Sequence, residues 1–294
     1  MLRKIVFFIA DGQQMKAVEK MKRNMEDDGA IIDIWGPEQD GFDRGKGIPE
    51  LFFLGMDAYE NDSTLFVTDT KAVLQELKRR GNYAIVLFHE NNKEEDLSGA
   101  AYGITDIEEL TFDSFEKAYL RLSGKPWTIT ETDRCVIREM TVEDVEDFYR
   151  IYSEPSITYY MDDLYEEPED EREYTREYIR KIYGFYGYGL WSVVNKADGK
   201  VIGRAGLSWR KGFDIPEIGF VIEVPYQRKG YAYEVCNAIV RYGMEELEFD
   251  EIQALVKKGN EASINLCMKL GFVRLDAVED KGIMYERYIL KIKK

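Results

Sequence analysis

A predicted strand and a predicted helix meet at the stretch Gln227-Arg228-Lys229-Gly230-Tyr231-Ala232. The residues before it, from Ile218 to Val224, are mostly apolar, and after it apolar residues recur at the spacing of a helix that begins near Gly230. A strand that turns sharply into a helix leaves backbone N–H groups unpaired, and these donors, with the positive end of the helix dipole, favour phosphate oxygens. Gly230 allows a ligand to approach the backbone closely. The stretch therefore predicts a phosphate-binding turn.

A second motif follows the first along the chain. Residues 252–256 predict a strand, Asn260-Glu261-Ala262-Ser263 opens a further helix, and Leu270-Gly271-Phe272 ends it. Together the two motifs resemble the GNAT superfamily of N-acetyltransferases, whose phosphate loop reads Q/R-x-x-G-x-G/A and whose later segment reads N-x-x-(A/S) before a Leu-Gly-Phe turn. Residues 134–144 resemble the first strand and helix start of the branch that includes ribosomal-protein N-terminal acetyltransferases. The resemblance covers about residues 128–294.

This resemblance implies a cofactor and a reaction. Acetyl-CoA would lie in a splayed cleft between two neighbouring strands, and a primary amine would attack its thioester directly, without an acyl-enzyme intermediate. The strand over residues 218–224 would offer backbone groups to the pantetheine arm, as an added strand would. For Arg228 and Lys229 the alternative is an exposed pair in a turn. The implied cofactor-binding residues are Ile222, Glu223 and Val224 through the main chain, Gln227, Arg228, Lys229, Gly230, Tyr231 and Ala232 at the pyrophosphate, and Asn260 and Ser263 beyond it.

Two residues are candidates for catalysis. The amine must be neutral when it attacks and the departing thiolate must gain a proton, so a general base and a general acid are expected. Glu217 precedes the cofactor strand and is the candidate base, with a solvent-facing strand-start residue as the alternative. Many relatives carry a tyrosine acid shortly before Leu-Gly-Phe. Here Cys267 stands at that position, either as a weak acid or as a packed core cysteine.

The acceptor site is predicted from the segment between the first two helices of the C-terminal domain. Residues 159–171 mix tyrosines with acidic side chains, which would suit a protonated amine through charge and cation–π contact. Tyr160, Asp162 and Asp163 are the candidate substrate residues, and a solvated acidic loop is the alternative. A small polyamine, an aminoglycoside-like amine, an amino acid and a protein N-terminus all remain open as acceptors.

The N-terminal third alternates between strand and helix patterns, which predicts a parallel sheet with helices on both faces. Residues 36–47, rich in Gly and Asp, predict a loop. Residues 65–88 and 101–110 resemble Rossmannoid, haloacid-dehalogenase-like domains. Active members open with a strand that ends in D-x-D, whereas here Asp11 matches the second aspartate and Ile9 stands at the nucleophile position. We therefore expect a catalytically silent domain, with a working phosphohydrolase as the alternative.

Length and composition set the outer limits of the fold. A chain of 294 residues favours two domains, and Gly and Pro interrupt a helical pattern at residues 122–127. The predicted fold is an α/β two-domain chain. It has an N-terminal parallel-sheet (haloacid-dehalogenase-like, Rossmannoid) domain over residues 1–125 and a C-terminal α+β GNAT domain with a splayed mixed sheet over residues 128–294.

Charge and cysteine content limit the classes of binding partner and the cellular compartment that we expect. The formal net charge is −16, which argues against nonspecific binding to nucleic acid or to anionic membranes. Three widely spaced cysteines and the absence of a transmembrane-length segment predict a cytoplasmic protein, and no metal-ligand spacing is present. The expected partner is a small-molecule amine or a protein N-terminus, and a homodimer is compatible with the sequence. The alternative functions are a coenzyme A-binding or sensory protein with vestigial transferase activity, and a bifunctional acetyltransferase/phosphohydrolase.

Overall fold

The chain divides into two compact units, Met1–Lys125 and Pro126–Lys294. The computed structural model describes residues 1–25, 31–36, 59, 61–161 and 163–291. Apart from Gly36, the loop predicted over residues 36–47 lies outside the described residues, and so does Asp162.

The N-terminal unit contains a five-stranded sheet in the order β2-β1-β3-β4-β5, and all of its neighbouring strands run parallel. The central strands are buried on both faces because helices cover both: Phe7 packs in one hydrophobic cluster and Phe8 in another. The predicted parallel sheet is thus confirmed. Its elements are β1 (Lys4–Phe8), α1 (Gly12–Asn24), β2 (Ile31–Trp35), β3 (Thr64–Thr68), α2 (Lys71–Arg79), β4 (Ala84–Leu87), β5 (Gly103–Ile104) and α3 (Phe112–Leu122).

The C-terminal unit contains an eight-stranded mixed sheet in the order β12-β13-β11-β10-β9-β8-β7-β6. Its strands are β6 (Thr128–Glu131), β7 (Cys135–Arg138), β8 (Leu190–Asn195), β9 (Val201–Ser208), β10 (Glu217–Ile222), β11 (Glu251–Lys257), β12 (Val273–Asp280) and β13 (Ile283–Lys291). Its helices are α4 (Val145–Tyr152), α5 (Pro155–Thr158), α6 (Pro168–Tyr178), a π-helical turn (Ile179–Tyr183), α7 (Gly184–Tyr186), α8 (Tyr231–Glu245) and α9 (Glu261–Lys269). The predicted mixed sheet is confirmed.

Helices cover both faces of this sheet. On one face the ring of Trp191 in β8 meets Tyr242 of α8 edge to face, with 5.6 Å between ring centroids. On the other face the Arg204 guanidinium of β9 lies 4.6 Å from the centroid of the Phe148 ring in α4. Because successive side chains of a strand point to opposite faces, the side chains under α8 and those under α4 lie on opposite faces of the sheet.

One pair of neighbouring strands in the sheet differs from the others. All neighbouring strands are antiparallel except β10 and β11, which run parallel and share the single register pair Glu217↔Gln253. The Gln253 side chain donates to the Ile215 carbonyl at 2.8 Å, which holds the two strands together beside this register pair. Beyond that pair the two strands continue without pairing and diverge, and the gap between them positions the candidate site.

Candidate active site

Two cavities adjoin at the divergence of β10 and β11. The first, here called the loop cavity, has a volume of about 660 Å³ and is lined by the end of β10, the 227–232 loop and the start of α9. The second, the tyrosine cavity, has a volume of about 730 Å³ and is lined by Tyr152, Tyr165 and Tyr174 together with residues of β9, β10 and β11. The residues that line both cavities are Tyr160, Met161, Phe220, Asn260 and Ser263.

The loop before α8 presents free backbone donors. Within the described part of the chain, the backbone N–H groups of residues 228–233 have no acceptor. Gly230 is the N-cap of α8 in the left-handed region, with φ +87°, and Arg228 also has a positive φ of 58°. These donors lie at the positive end of a 15-residue helix, so the loop is suited to bind an anion.

Side chains hold this loop in place from both sides. The Gln227 side chain donates to the Ile222 carbonyl at 2.8 Å, which ties the loop to the end of β10. Arg134 donates to the Lys229 carbonyl at 3.0 Å, and its guanidinium carbon lies 3.9 Å from the Tyr231 ring centroid. Glu234 accepts from Nε of Arg134 at 2.7 Å. These contacts therefore stabilise the loop in the conformation that leaves its N–H groups free.

Most of the predicted cofactor residues lie around the loop cavity. Asn260 caps α9, where its Oδ1 accepts the N–H of Ser263 at 3.2 Å. Lys229 and Tyr231 belong to the loop but do not line the cavity. Phe220 and Val221 also line it and were not predicted, because apolar residues in a strand carry no chemical signal. The predicted residues that line the cavity are Ile222, Gln227, Arg228, Gly230, Ala232, Asn260 and Ser263.

Glu223 and Val224, predicted to contact the cofactor through the main chain, do not line the loop cavity. The N–H of Glu223 already donates to the Ile202 carbonyl at 2.8 Å, and its carboxylate pairs with Arg150. Val224 opens a 3-10 turn with the following proline. Strand β10 ends at Ile222, so backbone donors and acceptors facing the divergence belong to residues earlier in the strand.

Glu217 lies at the closed end of the divergence and lines the tyrosine cavity. Both of its carboxylate oxygens accept hydrogen bonds from Arg210, at 2.5 and 2.9 Å, and Arg210 also binds Asp280 at 2.9 Å. The side chain is almost fully buried, so the solvent-facing alternative is wrong.

Cys267 lies in the hydrophobic core, where none of its surface is exposed, and it is absent from the lining of both cavities. Burial raises the pKa of its thiol to about 12. Helix α9 turns Asn265, Leu266 and Lys269 toward the loop cavity and Cys267 away from it. The position of Cys267 therefore favours the packing alternative over the role of a general acid.

The described substrate candidates lie at the tyrosine cavity. Tyr160 lines both cavities, and its hydroxyl donates to the Gly259 carbonyl at 2.9 Å. Asp163 lines the tyrosine cavity, where its Oδ1 accepts the N–H of Leu164 at 2.8 Å. Asp162, the third candidate, lies outside the described residues. Two buried charged residues of this cavity, Glu171 and Arg204, were not predicted.

Comparisons with known proteins identify the family of this region. A family model described as Acetyltransferase (GNAT) domain matches residues 134–273. The protein YkkB of Bacillus subtilis is 31% identical over 147 residues, which cover 48% of this chain and 82% of YkkB. The chain belongs to the GNAT acetyltransferase family. The matched residues of the GNAT family model lie within the C-terminal unit.

Two further proteins match a similar share of the chain. YoaA of Bacillus subtilis, named an uncharacterized N-acetyltransferase, is 29% identical over 145 residues, which cover 49% of this chain and 82% of YoaA. A GNAT-family acetyltransferase from Bacillus anthracis, known from its crystal structure, has 22% identity and a TM-score of 0.46, with coverage of 54% of this chain and 94% of that one. The chain is thus an N-acetyltransferase, and the acetyl donor of its family is acetyl-CoA.

A second polar cluster lies in the N-terminal unit, where β1 and β3 end. Asp69 is buried and accepts the N–H groups of Ala10 and Asp11 at 2.8 and 2.9 Å. Asp11 accepts from the backbone at the start of α1 and from Asn91 Nδ2 at 2.8 Å. His89 Nε2 lies 3.3 Å from Asp69. These side chains hold one another and the start of α1, while the side chain of Ile9 is fully buried.

Two kinds of feature are absent from the described residues. No helix among them is long and apolar enough to cross a membrane. No group of three or more His, Cys, Asp or Glu side chains in that part of the chain is arranged to hold a metal ion.

Proposed function

We propose that the C-terminal unit transfers the acetyl group of acetyl-CoA to a primary amine, which attacks the thioester directly. The observation that carries this proposal is the divergence of β10 and β11 after one register pair, with a cavity on either side. The loop cavity would hold the donor and the tyrosine cavity the acceptor. Since the two cavities share Tyr160, Phe220 and Ser263, the reacting groups would meet at the divergence, and proximity would supply much of the rate.

The residues present fit acetyl-CoA at the loop cavity. The free N–H groups of residues 228–233 and the Arg228 side chain would hold the pyrophosphate, because both favour phosphate oxygens. The unpaired inner edges of β10 and β11 would hold the pantetheine arm through backbone hydrogen bonds. Bound there, acetyl-CoA supplies an acetyl group activated as a thioester.

Glu217 is the candidate base in this proposal, because its carboxylate lines the acceptor side of the divergence. It would take the amine proton directly or through a water molecule while Arg210 fixes its orientation. The glutamine variant E217Q is expected to lower kcat about 10²-fold at neutral pH, the lower end of the usual contribution of a general base. The loss should shrink at alkaline pH, where more of the amine is already neutral.

A pH–rate profile for E217Q, beside E251Q, tests this role. Glu251 is also an ion-paired carboxylate at a strand start, bound to Lys291, but it lies outside both cavities. E251Q should keep the wild-type profile. An E217Q profile parallel to the wild type at every pH would assign Glu217 to positioning alone.

The acceptor in this proposal is a small-molecule amine or a protein N-terminus, without nucleic acid or membrane as partner. The experiment that tests the function is release of free thiol from acetyl-CoA in the presence of an amine panel. Donor binding without any amine-dependent release would favour the alternative of a coenzyme A-binding or sensory protein.

For the N-terminal unit we propose a catalytically silent, haloacid-dehalogenase-like domain. Asp11 is engaged by the start of α1 and by Asn91, and the position that the resemblance assigns to the nucleophile holds Ile9. We expect no hydrolysis of a generic phosphatase substrate in the presence of magnesium. Hydrolysis that the variant D11N abolishes would establish the bifunctional alternative instead.

A further inference from the structure

The tyrosine cavity contains a buried cation that no carboxylate of the described residues neutralises. Arg204 lies in the middle of β9, only 8% of its surface is exposed, and it lines the cavity. No carboxylate in the described part of the chain lies within 4.0 Å of its guanidinium, and its Nε has no hydrogen-bond partner. The structure gives it contacts with the Tyr152 hydroxyl, to which its guanidinium donates, and with the ring of Phe148, 4.6 Å away.

Burial of an arginine without an acidic partner costs free energy. A buried charge without a partner is strongly disfavoured, and a buried N–H donor without an acceptor adds to the cost. The face of Phe148 offsets part of it through a cation–π contact. A guanidinium has five donors in a planar fork that matches a carboxylate, so an anion in the cavity would satisfy the unused donors.

The other charged groups among the described lining residues do not supply this anion. Arg210 and Glu217 bind each other. Asp163 accepts the backbone N–H of Leu164, and Glu171, only 2% exposed, accepts the N–H of Tyr165 at 3.3 Å. With Lys257 and Lys281, the described residues of the lining include four basic and three acidic side chains, in a chain of net charge −16.

We propose that the acceptor of this enzyme carries a carboxylate as well as its amine, and that Arg204 binds this carboxylate. The inference rests on the proposed function, because it places the acceptor in the tyrosine cavity. It selects the amino-acid class among the acceptors that the sequence left open. A polyamine would leave the buried guanidinium unpaired and add further positive charge beside it.

Matched acceptors test the inference. Transfer rates would be measured for a panel of L-amino acids and for the corresponding amino acid amides, which keep the size and lose the charge. We expect the wild type to prefer the acid by about 10- to 100-fold in kcat/KM, the range expected for a charge-assisted hydrogen-bonded pair. The amino group of an amino acid amide is less basic than that of the acid, so a larger fraction of it is neutral and able to attack. A preference for the acid therefore could not be explained by the amount of neutral amine.

The variants R204M and R204K test whether Arg204 causes the preference for the acid over the amide. R204M should lose the discrimination by lowering kcat/KM for the acids alone, and R204K, which keeps the charge but not the fork, should retain part of it. R241M is the control, because Arg241 is exposed on α8 and lies outside both cavities. Equal discrimination in R204M and the wild type, or a wild-type preference for amides, would overturn the proposal.

A binding measurement separates this inference from the proposed function. Calorimetry with the coenzyme A-saturated protein would compare N-acetyl amino acids with their amides, so that no turnover is needed. Tighter binding of the acids by the wild type, lost in R204M, supports the role of Arg204. Transfer to amines with equal binding of acid and amide would overturn the inference and leave the proposed function standing, whereas absence of donor binding would overturn both.

Discussion

Replacement of Gly230 by glutamate is expected to weaken acetyl-CoA binding by about 10²- to 10⁴-fold. Gly230 has φ +87°, a conformation that costs a residue with a side chain about 1–2 kcal/mol, and it lines the loop cavity. The new carboxylate would compete with phosphate for the N–H groups of the loop and repel the negative pyrophosphate. The loss of two charge-assisted hydrogen bonds, at about 1.5–3 kcal/mol each, already accounts for this magnitude.

Isothermal titration with acetyl-CoA measures the effect, and two further variants separate its causes. G230A introduces the backbone strain without the charge and should bind more weakly by about tenfold or less. G199E places a glutamate at another glycine with positive φ, 72°, with open space around it and outside both cavities, so its affinity should equal that of the wild type. Similar affinities of G230E and G199E would show that the donor does not bind at the loop.

Replacement of Asp144 by alanine is expected to lower the free energy of unfolding of the C-terminal unit by about 3–5 kcal/mol. Asp144 is buried and accepts two hydrogen bonds from Arg138, both at 2.7 Å, with further bonds from Ser192 and the N–H of Thr141. Removal of one partner of a buried ion pair leaves the other charge uncompensated, which is the costly case. The change would also release the start of α4 from β7 and β8.

Chemical denaturation followed by tryptophan fluorescence measures this loss, since Trp127, Trp191 and Trp209 lie in the C-terminal unit. D147A is the control on the same helix: Asp147 pairs with Arg150 at the surface, and its loss should cost under about 1 kcal/mol. The double variant R138M/D144L removes both charges and should recover most of the stability. A D144A variant as stable as D147A would contradict the assigned role of the pair.

The same pair gives the unfolding free energy a pH dependence. Desolvation by burial raises the pKa of the Asp144 carboxyl, but the hydrogen bond and charge of Arg138, with the bonds from Ser192 and Thr141, outweigh it and lower the pKa below 3.8. A carboxyl with a depressed pKa in the folded state contributes stability above its unfolded pKa and loses it as the pH falls through the folded value. The wild type should therefore lose this contribution below about pH 4, and D144A should lack that component of the acid transition.

The sequence predicted the parts of the site that depend on local backbone. The 227–232 loop needs only a strand, a glycine and a helix in succession, and all three are visible in the order of residues. The partner of Glu217 was not predictable in this way. Arg210 lies beyond the end of β9, and Asp280, which binds it too, is 70 positions further along the chain. Only the pairing of strands brings these three together.

Two other residues show that site residues are hard to predict from sequence when their role depends on the direction of the side chain. Cys267 occupies the position at which the resemblance implies a tyrosine, but the rotation of α9 decides that its thiol faces the core. Arg204 did carry a signal, because it interrupts the apolar strand 201–207. A charged residue at the centre of a buried strand indicates a specific structural or functional role. The contact of Arg204 with Phe148 could not be predicted from spacing, because Phe148 lies in a helix distant in the sequence.

The divergence of β10 and β11 leaves this sheet with an edge in its interior. Elsewhere a sheet ends at its rim, where unpaired N–H and C=O groups invite another chain to pair. Here those groups lie between two strands that are each paired on their other side. A ligand that fills the gap acts as a missing strand, so part of its binding free energy belongs to the fold itself. By linkage, the concentration of acetyl-CoA in solution would then set how strongly the C-terminal unit resists unfolding.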